Sequence, residues 1–277
     1  MPKDKKNGTK SSNEGPALLK RLEIREGRWG HEYFLDGKKI PGVTTIINAA
    51  INKADALKYW AVNTTLDAVA YYLRQIKGGQ IDLTEDWIAT ILSESKKSFE
   101  IVSKKAKNIG TEAHALIAAH LKGQPSVDET ASAEAKGVFE QFRKWYKDNP
   151  FKILYVEQAA VSEKFGFGCR IDFVGESKEG VFVADWKTSK DGTAYNELAF
   201  QLGGNAIAFE ETFGVRPAWA LGVSFGKEVP VFNPYRVTDL EASKREFLGC
   251  LQAYPGIKKR KVLEEMVLTT AGTVAEW

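Results

Sequence analysis

The chain has 277 residues, of which 43% are hydrophobic and 27% are charged. This is ordinary globular composition, and it excludes both a disordered chain and a small domain that folds only with disulfide bonds. The formal net charge of +3 permits a nucleic-acid partner but does not by itself indicate one.

Cysteine content and apolar patterning exclude two further classes of protein. The only cysteines are Cys169 and Cys250, which we expect to be reduced thiols, and an iron-sulfur cluster held by four thiolates is excluded. No apolar run reaches the roughly 20 residues that cross a bilayer, and the first residues lack the apolar centre of a signal peptide. We therefore expect a soluble intracellular protein without membrane association.

The first half of the chain is predicted to be mostly helical. Residues 1–16 are polar and lack apolar periodicity, which predicts a disordered tail. An Asp36-Gly37 turn between alternating residues predicts a small hairpin that leads into a helix. Apolar residues at helical spacing then predict three helices, with a break at Gly110 in the second. These helices lie at 53–76, at about 85–120 and at about 132–147.

After residue 150 the apolar period changes from 3.6 to 2, which predicts β-strands. Three strand-like runs follow one another, separated by turns that contain glycine. A helix, two more strands and a last helix complete the pattern, at 195–213, 217–225, 229–237 and 238–252. The economical interpretation is an α+β fold with a mixed sheet and flanking helices.

Two of these strands, at 169–176 and 181–187, predict a hairpin with a two-residue loop at 178–179. In the register that this loop sets, Asp172 lies directly opposite Asp185, with Cβ atoms about 5 Å apart. A register shifted by one residue would place Asp185 on the other face of the sheet. The hairpin register therefore decides whether the two carboxylates can meet.

Lys187 shares a face with Asp185 because side chains alternate along a strand, whereas Trp186 points to the other face. By itself, Asp-x-Lys on a strand is more often an ion pair or a solvated sheet face than a functional site. Residues 181–184 are apolar, however, and carboxylates that face each other on a covered strand repel unless a proton or a metal ion intervenes. Hard oxygen ligands of this kind suit Mg²⁺ or Mn²⁺.

Five motifs in a fixed order resemble the PD-(D/E)xK nuclease superfamily, and within it the RecB-like exonuclease branch. Asp-x-Lys alone is a weak signal, whereas the whole order is specific and extends over about residues 40–252. The motifs are Pro41-Gly42-Val43-Thr44-Thr45, Gly110-Thr111-Glu112-Ala113-His114, Cys169-Arg170-Ile171-Asp172, Asp185-Trp186-Lys187-Thr188-Ser189 and Gln201.

The resemblance implies a mixed sheet of the restriction-endonuclease-like type and a metal site beside it. It implies that His114, Asp172 and Asp185 bind the metal, together with the backbone carbonyl of Trp186. Lys187 would orient or activate the attacking water.

Two further positions are interpreted less directly. Glu157, on the strand before Asp172, is either another acidic contributor or a surface charge. Gln201 would hold the Lys187 region or the DNA backbone. The tyrosine that often follows Gln201 by four residues in this family is replaced here by Asn205.

The resemblance predicts a Mg²⁺- or Mn²⁺-dependent DNA exonuclease in replication, repair or recombination, in the cytoplasm of a bacterium, an archaeon or a phage-infected cell. It would act on single strands or free DNA ends and have replication or recombination proteins as partners. A catalytically inactive DNA-binding or scaffold protein of the same fold and a structure-specific endonuclease remain alternatives. The predicted segments are the tail at 1–16, a hairpin and helical region at 17–150 that contributes His114, a nuclease core at 151–255 and a basic segment at 256–277. The basic segment is either solvated or a phosphate-binding patch.

Overall fold

A computed structural model describes residues 16–27, 30–51, 53–79, 84–124 and 130–259, with only the backbone given for 255–259. The predicted tail and the predicted basic segment therefore lie outside the described residues, apart from Pro16 and the backbone of 256–259. Among the described helices, none combines the length and the apolar character that a membrane span requires.

The described chain forms seven helices and two sheets. The helices are α1 (Ala17–Arg21), α2 (Val43–Ala50), α3 (Ala54–Lys77), α4 (Glu85–Leu121), α5 (Ala133–Asp148), α6 (Glu197–Phe213) and α7 (Leu240–Lys259). The strands are β1 (Leu22–Gly27), β2 (Gly30–Leu35), β3 (Lys38–Ile40), β4 (Lys152–Ser162), β5 (Phe167–Ser177), β6 (Gly180–Ser189), β7 (Trp219–Gly226) and β8 (Phe232–Arg236).

The larger sheet has the strand order β4-β5-β6-β7-β8. Its pairs are antiparallel except for β6 and β7, which run parallel because α6 carries the chain back between them. Strands β1, β2 and β3 form a separate antiparallel sheet before α2. The predicted α+β class, with a mixed sheet and a helical N-terminal half, is confirmed.

The predicted hairpin register between β5 and β6 is also confirmed. Ser177 pairs with Gly180 across the two-residue loop, and the pairing continues to Phe173 and Ala184. Asp172 and Asp185 are the next residues along each strand, at the end of this ladder. The register that brings the two carboxylates together is therefore set by the tight turn at the far end of the hairpin.

The larger sheet is covered on both faces. One face packs against α4 and α5, around Phe142, Phe173 and Trp186, and the other packs against α2, α6 and α7, around Leu202 and Phe247. A sheet covered in this way keeps the ends of its central strands out of bulk water. The division of the chain at residue 150 into two regions stays a prediction.

One expectation about the helices is wrong. Helix α4 runs without interruption through Gly110, because the missing side chain serves packing instead of a break: a Cβ there would lie 3.1 Å from Thr188 Oγ1. Trp60 of α3 is 38% exposed and contacts Phe99 edge-on. Helix α3 packs along α4 and has no buried residue, so its apolar periodicity does not mark a core-facing helix.

The contact between α6 and α7 depends on Gly203. A Cβ at this position would collide with the backbone of Ser243 and would lie 2.7 Å from the amide nitrogen of Lys244. Because backbone atoms of a packed helix cannot rotate away, an added methyl group must push the two helices apart.

Gly203→Ala should therefore lower the free energy of unfolding by about 1 to 3 kcal/mol, measured by urea denaturation. The matched control is Gly137→Ala on α5, where a Cβ meets no atom within 4 Å and the substitution should stabilise by about 0.5 to 1 kcal/mol. Equal effects of the two substitutions would show that α6 and α7 are not closely packed.

Candidate metal centre

The polar cluster lies where β5 and β6 leave their ladder. Asp172 is 8% exposed and Asp185 is 1% exposed, so both carboxylates are taken out of water by the covering helices. Lys187 lies two residues further along β6, on the same face as Asp185. His114 comes from α4 and Gln201 from α6, one from each of the two helical layers.

Asp172 is held by two contacts. Its Oδ2 accepts a hydrogen bond from the Trp186 backbone N–H at 2.8 Å and lies 3.5 Å from His114 Nδ1. The ring of Trp186 is buried on the opposite face, as the alternation predicts. The β6 backbone therefore fixes the Asp172 carboxylate across the sheet, and α4 brings the imidazole to it.

Asp185 is held by two different side chains. Gln201 Nε2 donates to Asp185 Oδ1 at 2.5 Å, and Lys187 Nζ lies 2.5 Å from Asp185 Oδ2. The Lys187 side chain is 40% exposed and that of Asp185 is 2% exposed, so the ammonium group covers the carboxylate from the solvent side. Gln201 thus contacts Asp185, two residues before Lys187 on β6, and a contact with the DNA backbone stays a prediction.

Glu157 joins the cluster from β4. Ligand atoms of His114, Glu157 and Asp172 lie within 4.8 Å of one another, and Glu157 Oε2 lies 2.7 Å from Arg170 Nε. Glu157 also has φ of +56°, a left-handed conformation that costs a residue other than glycine about 1 to 3 kcal/mol. Surrounding contacts therefore impose this placement, and the surface-charge alternative does not describe a side chain so positioned.

The strained residue coincides with an irregularity in β5. Around Asp172 the alternation of side chains breaks, since Ile171 and Val174 pack on the face of α6 but Phe173 packs on the face of α4. Such a break changes the direction in which the neighbouring side chain points. The Asp172 carboxylate lies within reach of both Glu157 on β4 and the Trp186 N–H on β6.

Burial and neighbouring charges shift the pKa values of Asp172 and Asp185 in opposite directions. Burial raises the pKa of Asp185 to about 6, although Lys187 acts in the opposite direction. Burial also tends to raise the pKa of Asp172, but His114 and Lys187 outweigh it and hold that pKa below its ordinary value. Asp172 is therefore the firmly ionised member of the pair.

The two aspartates also raise the pKa values of the groups around them. Burial tends to lower the pKa of Lys187, but Asp185 and Asp172 raise it above its ordinary value. The pKa of His114 is likewise raised by Asp172 against the effect of burial, and burial and Asp172 together raise the pKa of Glu157. The cluster thus sets three carboxylates against three cations, since Arg170 pairs with Glu157, His114 lies beside Asp172 and Lys187 pairs with Asp185.

The donor set fits a hard divalent cation. Carboxylates of Asp172 and Glu157 and the imidazole of His114 can reach one point, and carboxylates with an imidazole suit Mg²⁺ or Mn²⁺ better than a soft metal ion. Asp185 stands outside this trio and is coupled to it through Asp172 and Lys187. A ligand role for the Trp186 carbonyl stays a prediction, as the contact seen for that backbone unit is made by its N–H.

The cluster opens into a cleft of about 620 Å³. Its walls include several residues that the sequence did not single out as site residues, because they come from the small sheet, from the start of α2 and from β5. They are His31, Tyr33, Thr44, Thr45, Asn48 and Arg170. His31, Tyr33 and Asn48 lie outside the motifs, and Thr44, Thr45 and Arg170 are motif members to which the resemblance assigns no role.

Comparisons with known proteins do not show which family the chain belongs to. No protein-family model and no curated protein sequence matches the chain. A solved structure from Eubacterium rectale, described as a "putative exonuclease", is similar over 71% of this chain and 83% of that chain, at 10% identity and a TM-score of 0.28. A similarity at that TM-score carries no argument about fold or activity.

The charge balance of the cluster can be tested with Lys187→Ala. Without the ammonium group two neighbouring carboxylates lose their cation, so the free energy of unfolding in a chelator should fall by about 1 to 3 kcal/mol, towards the lower value because Lys187 is partly exposed. Added Mn²⁺ should restore most of the loss, because a bound cation replaces the missing charge.

Urea denaturation with EDTA and with Mn²⁺ measures both effects. Lys190→Ala is the control, since Lys190 forms an exposed ion pair with Glu228 at 3.5 Å and should change little in either buffer. A loss for Lys187→Ala that is the same with and without Mn²⁺ would contradict a cation site at this cluster.

Proposed function

We propose that the chain is a Mg²⁺- or Mn²⁺-dependent deoxyribonuclease that hydrolyses phosphodiester bonds at DNA ends. The observation that carries the proposal is the convergence of Asp172, Asp185 and Lys187 at the end of one hairpin, with His114 beside them. These are the side chains that the resemblance to PD-(D/E)xK nucleases names, and they come from three separate motifs of the sequence.

Phosphodiester hydrolysis needs a water aligned with the leaving oxygen and positive charge near the phosphoryl oxygens. A divalent cation held by His114, Asp172 and Glu157 or Asp185 would supply that charge and favour deprotonation of the attacking water. The protein supplies the rest. Lys187 places a compact positive charge at the open side of the cluster, where its ammonium group can contact the nucleophile or a phosphoryl oxygen.

Two donors keep the acids in place for this chemistry. The Trp186 N–H fixes Asp172, and the Gln201 amide fixes Asp185. A carboxylate engaged by a rigid donor loses rotational freedom. Gln201 therefore acts as a positioning residue through Asp185.

DNA as the substrate and DNA ends as the site of attack are supported by the motif order, which is similar to that of RecB-like exonucleases. The same order places the activity in replication, repair or recombination. An inactive scaffold of the same fold is disfavoured by the presence of Asp172, Asp185 and Lys187 together in one cleft. A structure-specific endonuclease differs in its action on closed substrates, which an experiment can separate.

Linear end-labelled DNA and covalently closed circular DNA should be incubated with the protein in Mg²⁺, in Mn²⁺ and in EDTA. The proposal predicts that linear strands are shortened in the presence of either metal ion, that circles resist, and that EDTA abolishes the reaction. Asp172→Asn and Asp185→Asn should lower the cleavage rate by at least about 100-fold while DNA binding persists, because these carboxylates serve the metal and not the duplex.

Asp67→Asn, which alters an exposed carboxylate on α3, is the matched control and should keep full activity. Cleavage of circles at the rate seen for linear DNA would identify an endonuclease instead. DNA binding without cleavage under any of these conditions would favour the inactive scaffold, and full activity in Asp185→Asn would overturn the site assignment.

A further inference from the structure

The N-terminus of α2 opens into the same cleft as the acidic cluster. Gly42 caps this helix in an extended conformation and has no side chain to accept from it. The first backbone bond of the helix runs from Ile46 N to Gly42 O at 3.0 Å, so the N–H groups of the three preceding residues have no acceptor within the helix. Val43 is 2% exposed and directly follows the parallel bridge between Gly42 and Gly168. This leaves the N–H groups of Thr44 and Thr45, which are both exposed and both line the cleft.

A second polar side chain lines the cleft from α6. Asn205 is 1% exposed, and its Nδ2 has no hydrogen-bond partner among the described residues. A buried amide left unpaired costs about 1 to 3 kcal/mol, so its retention points to a partner that the protein alone does not provide. Asn205 lines the same cleft as the start of α2.

The position of Asn205 is fixed by its neighbours. Gly203 and Gly204 bring α6 against α7, where added Cβ atoms would meet the Ser243 backbone and the Phe247 ring. Asn205 follows on the same helix turn, so the packed pair fixes the backbone from which its side chain extends.

The charges on this wall favour an anion. A helix N-terminus carries the equivalent of about half a positive charge, and the first turn of α2 contains no acidic residue to neutralise it. Arg170 lines the cleft as well. The acidic cluster lies in the same cleft, so an anion at this wall would sit beside the position at which a divalent cation is expected.

We propose that the N-terminus of α2 and Asn205 form a phosphate-binding subsite, which holds one phosphate of the nucleic acid while a neighbouring phosphate lies at the metal centre. Backbone N–H groups at a helix N-terminus and a side-chain amide match the oxygens of a phosphate, and this combination binds such groups widely. The assignment of the ligand rests on the proposed nuclease function. The phosphate is either a terminal monoester or a diester of the DNA backbone, since both present the same oxygens.

Two variants test the subsite by different routes. Thr44→Glu places a carboxylate at the exposed start of α2, which should keep or raise the stability of the helix through its dipole while it occupies the donors and repels phosphate. Asn205→Ala removes an amide that has no partner to lose, so its melting temperature should stay close to that of the wild type. Ala133→Glu is the control, because it adds the same charge at the start of α5, outside the cleft.

Binding should be measured by fluorescence anisotropy in EDTA, with a labelled single-stranded oligonucleotide that carries a 5′-phosphate, a 3′-phosphate or no terminal phosphate. Each variant should raise the Kd about tenfold, whereas Ala133→Glu should leave it unchanged. An equal loss for all three oligonucleotides identifies a backbone diester as the ligand, and a loss confined to one phosphorylated end identifies that terminal monoester.

Wild-type affinity of both variants for all three oligonucleotides would overturn the subsite. So would an equal loss in Ala133→Glu, because the effect would then be one of general charge. Failure of the proposed function is a separate result: the wild type would then leave linear DNA intact in Mg²⁺ and Mn²⁺ while Thr44→Glu and Asn205→Ala still weakened binding.

Discussion

The site depends on the repulsion between carboxylates that the sheet forces together in a buried place. Asp172 and Asp185 lie in one register at the end of the β5–β6 ladder, and Glu157 reaches Asp172 from β4. His114, Lys187 and Arg170 each lie against one of these carboxylates, and burial still raises the pKa of Asp185 to about 6. A protein keeps such an arrangement at a cost in stability, which a bound divalent cation would offset.

The rest of the fold holds these groups in that position. The tight turn between β5 and β6 sets the register, while α4 and α6 approach from opposite faces of the sheet and deliver the imidazole and the amide. Close approach is possible because a side chain is missing at each contact, at Gly110 beside the Thr188 hydroxyl and at Gly203 beside the Ser243 backbone. Glycine at these positions therefore serves the geometry of the site through packing, and not through unusual backbone angles.

The sequence predicts the hairpin and its acids because a two-residue loop leaves one register, and strand alternation then assigns each side chain to a face. It does not predict the left-handed conformation of Glu157. No local interaction of a glutamate favours that conformation, and tertiary contacts impose it. The exposure of α3 is not predicted either. Apolar residues at helical spacing predict that one face of a helix packs against a neighbour, but they do not show which neighbour that is. The meeting of α2 with Asn205 joins elements distant in the chain, which no local pattern encodes.

The most direct test of the account is a Mn²⁺ titration followed by electron paramagnetic resonance, in which bound ions lose the signal of free Mn²⁺. The wild-type protein should deplete that signal at low ion concentration, and Asp172→Asn should bind Mn²⁺ at least about tenfold more weakly, while the exposed Asp67→Asn matches the wild type. Equal binding by the wild type and Asp172→Asn, or no binding by either, would contradict the claim that these buried carboxylates form a divalent-cation site.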